Sequence, residues 1–244
     1  AHDSTIDEFD LSIKYKQHFN LMGWVNGNFV CETERVVEST ESMTRDEYCD
    51  CRVYAMLIDA MVRFEPIHEI FRYLSSYTIP FSRLLQRLYD SIPHAPTVIQ
   101  ACVEDFKRDL LEEIHDSERA VIDYMKANET EYENGQRAGG NLRYSNMLRI
   151  DHPAATLEWI FDSLKAVSDQ SIEVADEIGA LRNYLLSVYS DRIHSGDSEK
   201  EISASFGFHV KYWSETKAVQ PMSEFKGATD YSFLKTQISG IDGL

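Results

Sequence analysis

Apolar residues recur at helical spacing along most of this chain. The sets that follow this spacing run from Tyr54 to Phe71, from Ile99 to Tyr124, from Leu157 to Ile178 and from Leu181 to Tyr189. Residues three and four positions apart share one face of a helix, so each set predicts amphipathic helices that pack through an apolar stripe. Glycine (11) and proline (6) are sparse among 244 residues, which favours long helices. Period-two alternation is nearly absent, so no sheet is expected.

Capping residues and breakers predict where these helices begin and end. Thr44, followed three residues later by Glu47, forms a capping-box pattern. A short helix is expected around Arg83–Asp90, between two prolines. The other breaks fall at prolines and at polar or glycine-containing stretches, namely Pro80, Pro93, Asn128–Asn141, Asp151–Pro153, His194–Asp197 and Pro221. Eight to ten helices result, which predicts an all-α fold in one domain, residues 1–244.

The charge balance and the cysteines narrow the classes of function. The chain has 24 Lys and Arg residues against 41 Asp and Glu residues, a formal net charge of −17. Nucleic-acid binding needs clustered cations, so no nucleic-acid partner is expected. The chain shows no apolar run of membrane-spanning length and no signal-peptide pattern at its start, so no membrane partner is expected. Four scattered cysteines predict reduced thiols in a cytoplasmic protein: Cys31, Cys49, Cys51 and Cys102.

Four segments resemble the 14-3-3 family, in the order in which that family carries them. Met43–Glu47, followed through Val53 and Tyr54 by Arg63, resembles the third helix of these proteins. There an L-T-x-E-E cap leads without gaps to an arginine of the phosphate pocket. Gly139–Tyr144 resembles G-D-Y-x-R-Y, whose Arg-Tyr pair is the other half of that pocket.

The remaining two segments lie in the C-terminal part of the chain. Gly179–Tyr184 resembles G-L-A-L-N-F, in which the asparagine binds the main chain of the ligand. Ser223–Thr229 resembles E-S-Y-K-D-S-T, which starts the final helix of the family. The intervals, the length and the acidity of the chain also fit the family.

The resemblance implies a fold, a function and a set of partners. The family folds as about nine antiparallel helices around a concave groove and usually dimerises, so a homodimer is expected. Its members are signalling adaptors that bind phosphoserine or phosphothreonine segments of client proteins. The resemblance therefore implies phosphorylated client proteins as partners, no enzymatic activity, no cofactor and no metal.

The same resemblance assigns phosphopeptide binding to Arg63, Arg143, Tyr144 and Asn183. The residue types suit this chemistry, because a phosphorylated side chain carries nearly two negative charges and three strong acceptors. The planar fork of an arginine binds two of those oxygens at once. Tyr144 would add a hydroxyl donor, and Asn183 offers a donor and an acceptor to an extended peptide.

Several positions depart from the family pattern. Met56 stands where the family has a lysine, so the pocket would lack one cation. Arg182 replaces an apolar residue, and Gly140 replaces an aspartate. The second peptide-binding asparagine falls on or near Ile238, beside Gln237. These departures predict a divergent member with altered affinity.

Two alternatives remain open. The first is a helical scaffold without a preference for phosphate. The second is a di-iron carboxylate enzyme, because Glu65 and His68, and likewise Glu112 and His115, have the Glu-x-x-His spacing of such bundles. Against the iron centre, Pro66 would disturb a ligand helix, and two further carboxylates would be needed from other helices, for which Glu32 or Glu158 are candidates.

Overall fold

Helices and strands follow one another in mixed order in the computed structural model, which describes residues 3–133, 140–168, 171–189, 200–216 and 219–235. The α-helices in these ranges are α1 (Asp3–Glu8), α2 (Arg45–Arg63), α3 (Ile67–Ser76), α4 (Phe81–Ser91), α5 (Thr97–Glu112), α6 (Glu118–Ala127), α7 (Glu129–Glu133), α8 (Gly140–Asn146), α9 (Pro153–Val167), α10 (Ile172–Tyr189) and α11 (Val210–Glu215). The strands are β1 (Ser12–Val25), β2 (Asn28–Ser39), β3 (Lys200–Phe208) and β4 (Lys226–Lys235). Short 3-10 turns at Ile92–His94 and Met222–Phe225 and a π-helical turn at Met147–Asp151 complete the order.

The chain divides into two compact units, each made of two separate stretches. Unit 1 comprises Ala1–Asp59 and Ala101–Ser145, and unit 2 comprises Ala60–Gln100 and Asn146–Leu244. Each unit contains one two-stranded antiparallel sheet, β1 with β2 and β3 with β4. In the part of the chain that the structure describes, no helix is long and apolar enough to cross a membrane.

The prediction of an all-α fold of about nine helices is wrong, because the structure mixes helices with two antiparallel sheets. In unit 1 the first two expected helices are replaced by a β-hairpin. Asn26 and Gly27 form its turn with φ of 50° and 78°, the left-handed conformation at both positions that a two-residue type I′ turn requires. The Asn-Gly pair is the signal for this turn in the sequence, since it marks two-residue hairpin turns.

The prediction of a final helix in the C-terminal part is also wrong, because this part contains the second sheet. Ser223–Thr229, expected to start a final helix, instead forms the end of a 3-10 turn followed by β4. Its partner β3 shows the alternation of a half-buried strand, because Phe206 and Phe208 are buried and the alternating residues Ser205 and Gly207 are exposed. The predicted break at His194–Asp197 lies outside the described residues.

Several predicted helix boundaries are confirmed. Thr44 precedes α2, its hydroxyl accepts from the Glu47 amide at 3.2 Å, and the Glu47 carboxylate accepts from the Thr44 amide at 2.7 Å. This is the reciprocal pattern of a capping box. The short helix around Arg83–Asp90 is α4. Pro153 occupies the first turn of α9, where its missing amide hydrogen removes no helical hydrogen bond.

The core of unit 1 includes a cluster in which the hairpin packs against α6. Buried Phe29 of the hairpin meets Val121 and Met125 of α6, and Tyr132 of α7 completes the cluster. In unit 2, α9 packs against α4 and α10. Three consecutive residues of α9 are buried there, Trp159, Ile160 and Phe161. The helical stripes predicted from the sequence thus supply much of the core, and the hairpin supplies a part that they did not predict.

Candidate functional site

Arg143 and Tyr144, the two predicted phosphate-pocket residues of α8, converge on the carboxylate of Asp109 in α5. Arg143 Nη1 donates to Asp109 Oδ2 at 3.1 Å, and the Tyr144 hydroxyl donates to the same oxygen at 2.5 Å. Arg108 Nη2 donates to Asp109 Oδ1 at 3.3 Å. We call Asp109, Arg108, Arg143 and Tyr144 the Asp109 cluster; all four residues belong to unit 1.

Helix geometry and packing position these side chains. On α5, Asp105 and Asp109 lie one turn apart, and Arg108 bridges them because it also donates to Asp105 at 2.6 Å. On α8, the ring of Tyr144 is buried edge-on against Phe106 with 5.4 Å between centroids, which fixes the direction of its hydroxyl. The adjacent Arg143 lies over the Tyr144 ring, 5.1 Å from its centroid.

The donors of the cluster all meet the Asp109 carboxylate, whose negative charge offsets part of the positive charge of the two arginines. Burial, followed by the hydrogen bond to Asp109, raises the pKa of Tyr144, so its hydroxyl stays protonated as a donor. The Asp109 side chain is 16% exposed, whereas those of Arg143 and Arg108 are 36% and 59% exposed. The two guanidinium groups therefore present part of their donor edge to solvent while they hold the carboxylate.

The other two predicted site residues belong to unit 2. Arg63 is exposed and is the last residue of α2. Asn183 is exposed on α10, and its side-chain oxygen accepts from Arg182 Nη1 at 3.0 Å. Arg182 also forms an ion pair with Glu158 of α9. The contacts just described join Arg143 to Tyr144, and they join neither residue to Arg63 or Asn183, so a shared pocket of all four stays a prediction.

Met56, where the family has a lysine, is a residue of the core. Its side chain is completely buried, whereas Arg63 two turns later is exposed. A cation at position 56 would therefore be buried in the interior of the protein, and it would not complete an accessible phosphate pocket. Gln237 and Ile238 lie outside the described residues.

Asp109 and Arg108 are the members of the cluster that the sequence analysis missed. A carboxylate beside an arginine on an amphipathic helix is usually an exposed pair, and nothing in the local sequence distinguishes Asp109 from Asp105. Only the approach of α8 brings Arg143 and Tyr144 to Asp109, in addition to its neighbour Arg108.

The Glu-x-x-His segments form no recognisable metal centre. Glu65 and His68 are exposed around Pro66, just before and at the start of α3. Helix α5 ends at Glu112, and His115 instead pairs its backbone with Tyr15 of β1. Among the residues that the structure describes, no group of three or more His, Cys, Asp or Glu side chains is arranged to hold a metal ion.

Comparison with known proteins assigns no family. No protein-family model matches the chain, and no curated protein matches it.

Proposed function

We propose that this protein is a non-catalytic adaptor that binds phosphorylated segments of client proteins, with the Asp109 cluster as the site of the phosphate. The observation that carries the proposal is the convergence of two guanidinium groups and one tyrosine hydroxyl on a single oxyanion, Asp109. The proposal keeps the ligand class that the 14-3-3 resemblance implies and does not depend on that family's fold.

The donor set suits a phosphate monoester. Charge-assisted hydrogen bonds from arginine to phosphate are among the strong polar contacts in proteins, and a bidentate fork makes them directional. Arg143 and Arg108 both keep an exposed portion through which an external phosphate can approach. The Tyr144 hydroxyl, buried and kept protonated, donates to the Asp109 oxygen that Arg143 also contacts, and so holds that carboxylate in place.

Asp109 sets the affinity in this proposal. Its carboxylate already accepts hydrogen bonds from Arg108, Arg143 and Tyr144. Its negative charge also opposes an incoming phosphate at close range. The net charge of −17 adds a weaker long-range repulsion, which salt screens. Binding by the wild-type protein is therefore expected to be weak, and removal of the Asp109 charge is expected to strengthen it.

The test is titration of one labelled phosphoserine peptide and its unphosphorylated counterpart at fixed ionic strength. Asp109→Asn should bind the phosphopeptide roughly ten-fold more tightly than wild type, since a hydrogen bond to a charged group contributes about 1.5–3 kcal/mol and competition with solvent reduces the gain. The matched control is Asp162→Asn, which removes the same charge from an exposed pair with Lys165 in unit 2.

A charge-reversal variant tests whether binding can also be abolished. Arg143→Glu should abolish the preference for the phosphopeptide, whereas Arg119→Glu, at an exposed arginine paired with Asp123, should leave it unchanged. Circular dichroism of each variant separates loss of binding from loss of structure. Equal binding of both peptides by wild type and by Asp109→Asn would mean a scaffold without phosphate preference, and the proposal would be wrong.

A further inference from the structure

Unit 2 contains a glutamate deep within the apolar face of a helix. Glu177 of α10 lies one turn from Val174 and from Leu181, and its residue surface is 1% exposed. This position was detectable in the sequence, since residues 174, 177, 178 and 181 share one helix face. A carboxyl group at such a site loses its hydration, which strongly disfavours the ionised form unless a cation compensates.

The surroundings of this carboxyl provide hydroxyl groups. The Tyr77 hydroxyl donates to Glu177 Oε2 at 2.5 Å. Ser223, in the turn Met222–Phe225, approaches with its hydroxyl and its backbone amide. Oε1 nevertheless makes no hydrogen bond of good geometry among the described residues, and neither does the fully buried hydroxyl of Tyr73 nearby.

The charged groups on the neighbouring elements do not neutralise Glu177. The strongest influences on it are burial, the contacts of Tyr77 and Ser223, and the charge of Glu173 one turn earlier on α10. None of these is a cation. Helix α9 faces α10 with Glu158, which pairs with Arg182.

Ionisable groups on other elements near α10 influence Tyr184 on that helix. Tyr231 of β4 and Glu215 of α11 influence Tyr184, two turns beyond Glu177, and so does Glu69 of α3. Burial is the main cause that raises the pKa of Tyr184 to about 12, and the charges of these three groups raise it further. The groups that act most strongly on Glu177 and on Tyr184 are thus hydroxyl groups that stay neutral and carboxylates of the same sign as Glu177.

We infer that Glu177 is a neutral carboxylic acid in the folded protein, and that its ionisation destabilises the fold of unit 2. A proton on Oε1 converts an acceptor without a donor into a donor for the Ser223 or Tyr73 hydroxyl. Tyr77 continues to donate to Oε2, so both oxygens of the acid are satisfied. The ionised form keeps an unsatisfied oxygen and is repelled by Glu173. The protonation state of this one carboxyl therefore contributes to the stability of unit 2.

The direction of the pH dependence follows from burial. Burial raises the pKa of Glu177 above the usual value of 4.5 by more than its hydrogen bonds lower it. The folded state then binds this proton more tightly than the unfolded state. The contribution of Glu177 to stability is full at acidic pH and is lost as pH rises from about that value through the folded-state pKa.

The first experiment measures unfolding of wild type and Glu177→Gln across this pH range. The two should run parallel at the acidic end. As pH rises, the unfolding constant of wild type should increase relative to that of the variant, by up to about ten-fold per pH unit while one proton is released. Glu173→Gln is the matched control, since it removes an exposed carboxylate one turn away and should leave most of the wild-type pH dependence in place.

Two measurements test the local consequences. Infrared spectra of native wild type should show the carbonyl stretch of a protonated carboxyl above the pH at which ordinary glutamates ionise, and Glu177→Gln should lose it. Glu69→Gln controls for Glu69, a half-buried glutamate of unit 2 whose pKa burial also raises. Hydrogen exchange in Met222–Lys235 should accelerate with pH in wild type more than in Glu177→Gln.

Three outcomes would overturn the inference. One is an infrared spectrum of wild type without the protonated carbonyl band, which needs no variant to fold. Another is a pH dependence of unfolding that Glu177→Gln leaves unchanged. The third is a stability of wild type that falls when sodium and potassium are replaced by choline at equal ionic strength while that of Glu177→Gln does not, because Glu177 would then be ionised beside a bound cation.

Discussion

His115 is a half-buried imidazole in unit 1, and its position shows how the surroundings of one residue change its chemistry. Its ring lies against Tyr124 with 4.8 Å between centroids, and Nε2 is buried without a hydrogen-bond partner among the described residues. Its backbone exchanges two hydrogen bonds with Tyr15, each 2.8 Å long. The side chain of His115, a candidate iron ligand from its spacing to Glu112, thus packs against Tyr124. The backbone hydrogen bonds to Tyr15 hold the residue in place.

The burial of His115 predicts a loss of stability in mildly acidic solution. Burial lowers the pKa of this imidazole below its usual 6.5, so the unfolded state binds the proton more tightly. Stability present at neutral pH is then lost as pH falls from about 6.5 toward the folded-state pKa. His115→Phe should remove this contribution, which urea unfolding at several pH values measures. The exposed His94→Phe is the control, and parallel curves for wild type and His115→Phe would contradict the prediction.

Among the elements, the hairpin of β1 and β2 depends most on one short piece of sequence. Asn26 and Gly27 adopt the left-handed conformation that matches the twist of the flanking strands. Across the strands next to this turn, Trp24 faces Phe29 edge-on at 5.7 Å, and the Trp24 indole donates to Glu129 of α7. The turn therefore controls the register that brings the hairpin onto α6 and α7.

Gly27→Ala should destabilise unit 1 by about 1–2 kcal/mol, since a residue with a Cβ atom incurs that cost in the left-handed region. The cost comes from the backbone alone, because a Cβ at position 27 would meet no heavy atom within 4 Å. Gly23→Ala is the matched control, as its Cβ would also meet nothing and its φ is not in the left-handed range. Chemical unfolding of the two variants measures the difference, and equal effects would show that the turn conformation is not the cause.

At the scale of the whole molecule, the net charge of −17 is the dominant electrostatic feature. Like charges in the compact state repel one another, and this repulsion lowers stability when little salt is present. Many local ion pairs offset it, among them Lys14 with Asp116 and Lys107 with Asp50. These exposed pairs contribute little individually, so the overall repulsion is expected to prevail.

We therefore expect the thermal midpoint to rise as ionic strength increases from about 0.01 M to about 0.15 M, over which the screening length falls from about 30 Å to about 8 Å. Differential scanning calorimetry at neutral pH measures the change. Sodium chloride and potassium chloride should act alike, because screening depends on concentration and valence. A midpoint that falls with salt would show that the local ion pairs outweigh the net repulsion.

The sequence by itself predicted those features that depend on neighbours in the chain. The stripes that became α2 and α3, α5 and α6, and α9 and α10, and the capping box at Thr44, follow from the period of a helix and from hydrogen bonds over three or four residues. The hairpin has a local signal of the same kind in Asn26-Gly27, whose residues readily adopt the left-handed conformation, and the prediction of an all-α fold did not include it. For the candidate site, local sequence indicated only the pair Arg143 and Tyr144.

Only the tertiary structure decided which distant groups meet. The pairing of β3 with β4 joins segments separated by α11 and the turn Met222–Phe225, and no local pattern encodes such pairing. Asp109 meets Arg143 and Tyr144 only when α8 packs beside α5, and Glu177 meets Tyr77 only when segments 100 residues apart come together. Hydrogen bonds and pKa values depend on short distances and on burial, and both are properties of the packed chain that the order of its residues does not display.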